Sequence, residues 1–532
     1  MTTTQTADEP RTSRRTLFGL AAVLAAGAVA AETLTGPAET AAAATPRIAR
    51  LYPTASAAAK AVGRTASEVF PHDTKAHLLR RATFGPRPKD VKDLAKYGID
   101  GWLKRQLDPA SIPDDRGSKA WKLYPLAGAS PKTIASTIER FSWDAVFQTA
   151  QASLARQIFS DRQLYEVVVD VFANHLHVPL PGEQWHTAPG YLVKVIRKHA
   201  LGSFEAMLLA AMKHPAMLDY LDNDDSRKDD VNENLCRELL ELHTVGLAAG
   251  YTEQDVRASA EILSGRTWNW EQGTYRFDGN QHVTGTVRVL GFTHANKTGT
   301  GGEAVGDAYL RYLARHPRTA RTIARKIAVR FVSDTPSASL VKQLAKVYLD
   351  RDTSIKAVVA AVFRSDEFWR SVGTRMRRPL EDAVGAMRAL DVKEGAGMKE
   401  QLGWLYWNLH EAGHTPHGWN PPNGYPDVAA AWLGAGAMIQ RWNLHRAFAH
   451  GWWSKFDWTE PTRLVKQTPG MTTIAWTKAV AKRVLGVVPP TARLEAAIAG
   501  AGLKPRDPVP KDDWRCGKVV ALLLDSPWFQ LR

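Results

Sequence analysis

Cysteine is nearly absent. Only Cys236 and Cys516 occur in 532 residues, which excludes a disulfide scaffold and a cysteine-based zinc site and leaves room for one bridge at most. Cys236 lies beside Leu235, Leu239 and Leu240 in an expected helix, the setting of a buried, inert thiol. Long uncharged apolar runs are missing after the N-terminus, so no membrane span is expected in the mature chain. There is no zinc knuckle, RNA-binding signature or basic low-complexity tail, hence no specific nucleic-acid signature. Flexible linkers are missing too: segments 393–403 and 413–427 interrupt helices without being long or polar enough to separate domains.

What is present begins at the N-terminus. Ser13-Arg14-Arg15-Thr16-Leu17-Phe18-Gly19 precedes an apolar run through Ala30 that is too short to span a bilayer. This reads as a twin-arginine export signal, cleaved after about residue 30 or 44. The expected organisation is therefore a signal over 1–44, a lead-in over 45–72 and a single large helical domain over 73–532, working outside the cytoplasm or at the cell envelope. Residues 1–44 carry three arginines and four acids, so their removal raises the net charge of +15 by one. The basic balance thus belongs to the mature domain and suits an anionic envelope polymer as partner. Helically spaced Arg311, Arg315, Arg318, Arg321 and Arg325 also read simply as a solvated face.

The dominant hydrophobic period is helical. Ser142 to Phe159, Leu192 to Met212, Gly306 to Val332, Ser339 to Trp369 and Pro379 to Leu390 place apolar residues three and four apart. The best strand-like stretch lies between Tyr275 and Phe292. The expected fold class is mainly α, a large multi-helix domain with a small β or irregular excursion near 275–292. Segments 358–368 and 519–529 echo one another, each an apolar helix closed by a Ser-containing turn and an aromatic.

The densest local chemistry is Asp230 to Gly246. Asp230 with Glu233 predicts a capping box and Gly246 a stop, with Thr252 and Asp255 capping the next helix. At 100° per residue, Glu233, Asn234, Arg237, Glu238, Glu241 and Thr244 share one side, opposite Leu235, Leu239, Leu242, Cys236 and His243. The acidic stripe is either a solvated face braced by Glu233, Arg237 and Glu241, or the lining of a pocket. Just before it, Asp222, Asp224, Ser226, Asp230 and Glu233 have the spacing of a calcium loop, with Arg227 standing where the loop needs glycine. His410-Glu411-Ala412-Gly413-His414 satisfies the zinc-protease pattern, although Gly413 and Pro416 oppose the continuous helix it requires. Eight of the 18 tryptophans fall between Trp404 and Trp458, around Asn420-Pro421-Pro422-Asn423-Gly424-Tyr425-Pro426. Such rings either pack in the core or stack on sugars or bases.

The chain resembles the bacterial family known as domain of unknown function 1800. The resemblance rests on His77-Leu78-Leu79-Arg80-Arg81-Ala82-Thr83-Phe84-Gly85-Pro86, Asn174-His175, Leu218 to Asn223, Asn232-Glu233-Asn234 with Arg237 to Gly246, Gly250-Tyr251-Thr252, and Arg378-Pro379-Leu380-Glu381. It implies a helical exported protein with no established activity, often encoded beside an exported, sulfatase-like partner. The family often has a second histidine where this chain has Leu176, and usually Gly-Gln where it has Gly413-His414, which makes the zinc-protease match look accidental. Two classes of function follow. In one, the chain is an envelope or extracellular binding protein whose pocket involves Asn174, Asn232, Asn234 and Arg237. In the other it is a metal-assisted enzyme using Glu233, Glu238 and Glu241 with His175, for which a divalent metal would be the cofactor.

Overall fold

The computed structural model describes Phe70, residues 73–511 and residues 513–532; the expected export signal, its cleavage sites and nearly all of the 45–72 lead-in lie outside the described residues. Among the described residues the chain folds into 23 α-helices and only two small antiparallel sheets, so it is mainly α. No helix of the described residues is long and apolar enough to cross a membrane. The two sheets are hairpins, Arg266–Asn269 with Thr274–Phe277 and Val287–Val289 with Phe292–His294; they overlap the expected excursion near 275–292, but the first begins before it and there are two hairpins rather than one.

The expected helices exist but several are divided, and local caps explain the divisions. The Leu192 to Met212 period splits because the Ser203 side chain accepts from Ala206 N and starts a new helix, Phe204–Ala211. Gly306 to Val332 becomes Gly302–Arg315 and Pro317–Phe331, since Pro317 lacks the N–H needed to continue one helix and His316 caps the next. Ser337, Ser354 and Ser365 likewise begin three helices where the periodicity suggested one. The echoed segments do close alike: the hydroxyls of Ser365 and Ser526 bond the carbonyls of Val362 and Leu523 at 2.7 and 2.6 Å.

The core is a continuous apolar cluster, but it is threaded by buried charge. The helix Pro379–Ala389 runs through its centre, its residues buried on every side. The Thr83-Phe84-Gly85-Pro86 segment lies against this helix. Arg377 donates to the Phe84 carbonyl at 2.8 Å and Arg388 to that of Gly85 at 2.6 Å. A Cβ on Gly85 would stand 2.6 Å from the Gly385 Cα, so glycine is required for the backbones to approach.

Glu381 anchors the largest ionic cluster. It is fully buried and meets Arg330, Arg532 at 2.7 Å and Arg378 at 3.3 Å. Asp170 bonds Arg330 at 2.9 Å and Arg378 at 2.5 Å, while Arg375 bridges Asp334 at 2.7 Å and Asp427. Four guanidiniums thus face four carboxylates, the condition under which buried charge is tolerated.

Candidate functional site

Three segments converge: the end of the Gln163–His175 helix, the acidic segment 232–246 and the Pro-rich loop 413–427. The first two are joined by a reciprocal contact. His175 Nε2 donates to the His243 carbonyl at 3.1 Å, and His243 Nδ1 donates to the His175 carbonyl at 3.0 Å. Burial pushes both imidazoles below the usual histidine range, His243 to about 4, and each is neutral at physiological pH. These bonds fix the tautomers and leave the lone pairs of His175 Nδ1 and His243 Nε2 without a donor among the described residues. The Lys326 ammonium, on the Pro317–Phe331 helix, lies close enough to depress both rings. Burial lowers its own pKa, with Asp427 opposing and Arg378 adding to the shift.

The acidic segment differs from the expected single α-helix. An α-helical piece, Asn234–Glu238, passes into a π-turn, Leu239–His243. Asp230 does not cap it: Asn232 Oδ1 accepts from Asn234 N at 2.9 Å, and Asp230 pairs backbone to backbone with Arg227 at 3.0 Å. The wide turn is closed by Gly246 N donating to the Leu240 carbonyl at 2.8 Å. It buries Leu240 and His243 and leaves Leu242 only partly buried, a one-residue change from the expected apolar side. The expected brace is consequently half formed. Arg237 pairs with Glu233 at 3.2 Å but turns its other contacts to Glu253 at 2.7 and 2.8 Å, away from Glu241. Thr252 and Asp255 form the expected capping box of the following helix.

Glu238 and Glu241 are left partly buried, with no hydrogen bond or ion pair among the described residues. Burial and the neighbouring Glu241 raise the Glu238 pKa, with Arg237 opposing. Two phenols share this rim: burial and the carboxylates raise Tyr251 to about 12, and burial and Glu238 raise Tyr220.

The Pro-rich loop is fastened beside the rim. Asn174 Nδ2 donates to the Tyr425 carbonyl at 2.7 Å and its Oδ1 accepts from Tyr425 N at 2.6 Å. His177 Nε2 bonds the Trp419 carbonyl at 2.5 Å, the Tyr220 hydroxyl bonds the Asn420 carbonyl, and Trp419 Nε1 donates to Asn423 at 2.7 Å. Asp427, at the loop's end, enters the arginine cluster through Arg375.

The calcium-loop and zinc-protease patterns are not formed as their spacing predicted. Of the calcium-loop residues, Asp222 accepts from Asn234 at 3.2 Å, Asp224 from the Trp268 indole at 3.0 Å, and Glu233 is held by Arg237. His410 is exposed and bonds Thr415 at 2.9 Å, whereas His414 is buried and accepts from Leu380 N at 3.4 Å. The helix carrying His410 ends at Glu411 and Gly413 turns the chain at φ +76°, so the two histidines do not share a helix face. Among the described residues no group of three or more His, Cys, Asp or Glu side chains is placed to hold a metal ion. Cys236 and Cys516 are both buried free thiols. Sequence reasoning missed Lys326 and Tyr220. Lys326 had one available signal, a cation between the buried Ile323 and Ile327 rather than on the arginine stripe.

A family model described as Protein of unknown function (DUF1800) matches residues 77–531. No curated protein and no solved structure matches the chain.

Proposed function

We propose that this chain, which belongs to the DUF1800 family, is an exported envelope or extracellular binding protein that takes its ligand at the rim of Glu238, Glu241, Tyr220 and Tyr251. The carrying observation is the pair of partly buried carboxylates without a partner among the described residues, beside a Glu233 that Arg237 already holds. Desolvating two acids without donors is unfavourable, and a cationic or hydroxyl-bearing ligand would relieve it. His175, Asn174 and Arg237 serve this site indirectly, by locking the segments that frame it. The arginine pair of the leader supports the export assignment, and the basic surplus supports an anionic envelope polymer in the protein's surroundings. The family's exported sulfatase-like neighbour is the first protein partner to test.

The competing reading is a metal-assisted enzyme using Glu233, Glu238 and Glu241 with His175. It requires Glu233 to release Arg237 and His175, 2% exposed, to reach the rim. One experiment separates them: purification from the native exported fraction of the wild type and of a Glu238→Gln/Glu241→Gln variant, with elemental analysis and identification of co-purifying molecules. The binding reading expects a companion lost in the variant and no stoichiometric metal in either. Stoichiometric metal lost in the variant would establish the enzyme reading instead.

A further inference from the structure

Tryptophan is concentrated on the surface as well as in the core. Seven of the 18 tryptophans are more than 40% exposed, which is unusual for the bulkiest apolar side chain. Three of them, Trp143, Trp404 and Trp407, at 46%, 45% and 50%, gather where the helices Asp144–Phe159, Met398–Glu411 and Ala435–Ala449 lie side by side. Trp404 and Trp407 are three residues apart on one helix and so face the same way.

The rings are held rather than loose. Phe147 lies 5.8 Å from the Trp143 ring and 5.7 Å from that of Trp407, joining them into one row. Tyr406 and His410 brace Trp407 edge-on at 5.3 and 5.7 Å, and Trp453 braces Trp404 at 6.3 Å. Toward the next helix the surface carries amides: Gln440 donates to Asn408 at 2.9 Å, and Asn443, three residues after Gln440 on the same helix, is exposed. At Gly434 and Gly436 nothing stands within 4 Å of where a side chain would be, so the surface is open on that side.

We propose that the Trp143–Trp404–Trp407 platform binds a neutral, hydroxyl-rich polysaccharide chain. Fixed indole rings offer flat apolar faces to the C–H faces of pyranose rings, and side-chain amides serve as both donors and acceptors for hydroxyls. The local charge selects a neutral partner. Acids Glu400 and Glu411 sit on the same helix as the two tryptophans; the lysine of that helix, Lys399, lies over the Tyr124 ring, Lys455 pairs with Glu400, Arg140 near Trp143 stacks on Phe141 and Trp270, and Arg446 stacks on Trp452. An anionic lipid surface or a nucleic acid would meet these acids, while the nearby cations named here are already paired or stacked. The proposal extends the binding reading above but uses residues outside the acidic rim, so the two fail separately.

The test is native gel electrophoresis of the purified mature chain in gels containing soluble β-1,4-glucan or β-1,3-glucan, with sedimentation against phosphatidylglycerol vesicles in parallel. The wild type, a Trp404→Ala/Trp407→Ala variant, a Trp407→Phe variant and the Glu238→Gln/Glu241→Gln variant are compared. The expected result is retardation by at least one glucan, weakened at least tenfold in the double alanine variant, largely kept in Trp407→Phe and unchanged in the glutamine variant. Retardation in neither glucan, retardation indifferent to the tryptophans, or vesicle binding lost in the double alanine variant would each overturn it. Loss in the glutamine variant alone would move glucan binding to the acidic rim.

Discussion

Asn174 grips Tyr425 by both ends of its amide, donating to the carbonyl at 2.7 Å and accepting from the N–H at 2.6 Å across 251 residues of sequence. The amide reproduces the pairing of one strand residue with another, so it fixes both position and orientation of the loop. Replacing Asn174 with Ala leaves a donor and an acceptor of the loop backbone without partners. About 1–3 kcal/mol of stability should be lost, concentrated in the loop. Hydrogen exchange by mass spectrometry should show faster exchange over 419–427 while the Asp144–Phe159 helix keeps its protection. Equal protection of the loop in both proteins would show that the Asp427 and His177 contacts suffice without the clamp.

Gly424 is the steric counterpart of that clamp. Its φ is +66°, and a Cβ there would stand 2.1 Å from the Asn174 carbonyl oxygen. Gly424→Ala therefore combines a left-handed backbone with a clash against backbone that the helix end holds in place. It should destabilise more than Asn174→Ala, by more than about 3 kcal/mol, and a variant that also carries Asn174→Ala should recover little, because the clash is with the main chain. Urea denaturation of the three variants checks the order.

What could be read in the sequence was local. The Thr252–Asp255 box was visible because both partners lie within one turn, and the mainly α architecture because apolar periodicity is carried by each helix alone. The division of 339–369 into three helices was missed although Ser354 and Ser365 stood in view, since an apolar period runs across a cap without interruption. The π-turn at 239–243 was beyond reach. An α- or π-ladder is chosen there by long-range contacts, among them the His243 bond to the His175 carbonyl. The same holds for Tyr220, whose hydroxyl bonds Asn420 across 200 positions, and for Lys326, which acts on the distant His175. Asp230 does not cap because the helix begins only at Asn234, while Asp230 is held in a backbone pair with Arg227.

Glu381 is the carboxylate on which three guanidiniums depend. Arg330, Arg378 and Arg532 are at most 3% exposed and share it; these neighbours hold its carboxyl far below the usual range against the opposing effect of burial. Glu381→Gln keeps the shape and removes the charge, leaving buried cations undercompensated. A loss of about 3–5 kcal/mol is expected, read as a lower urea midpoint with an unchanged slope. A near-neutral variant would mean that Asp170 and Asp427 carry the compensation.

His445 is a buried histidine held between two carboxylates. Its Nε2 lies 2.9 Å from Asp382 and its Nδ1 2.8 Å from Asp525, with Arg441 on the far side of Asp382 at 3.1 Å. Burial disfavours the imidazolium, but the Asp382 and Asp525 carboxylates outweigh it and raise the pKa to about 9. A histidine raised in the folded state binds its proton there more tightly than in the unfolded chain, where the pKa is about 6.5. Its stabilisation is therefore complete below about pH 6.5 and is lost as pH rises through about 9. Two measurements follow. The His445 ring resonances in the folded protein should stay those of imidazolium up to about pH 9, and stability should fall between about pH 7 and 9 with a slope that His445→Asn removes. A neutral ring at pH 7.5 would contradict the assignment, because Asp382 would then face only Arg441 and His445 would contribute no fall in stability between about pH 7.5 and 9.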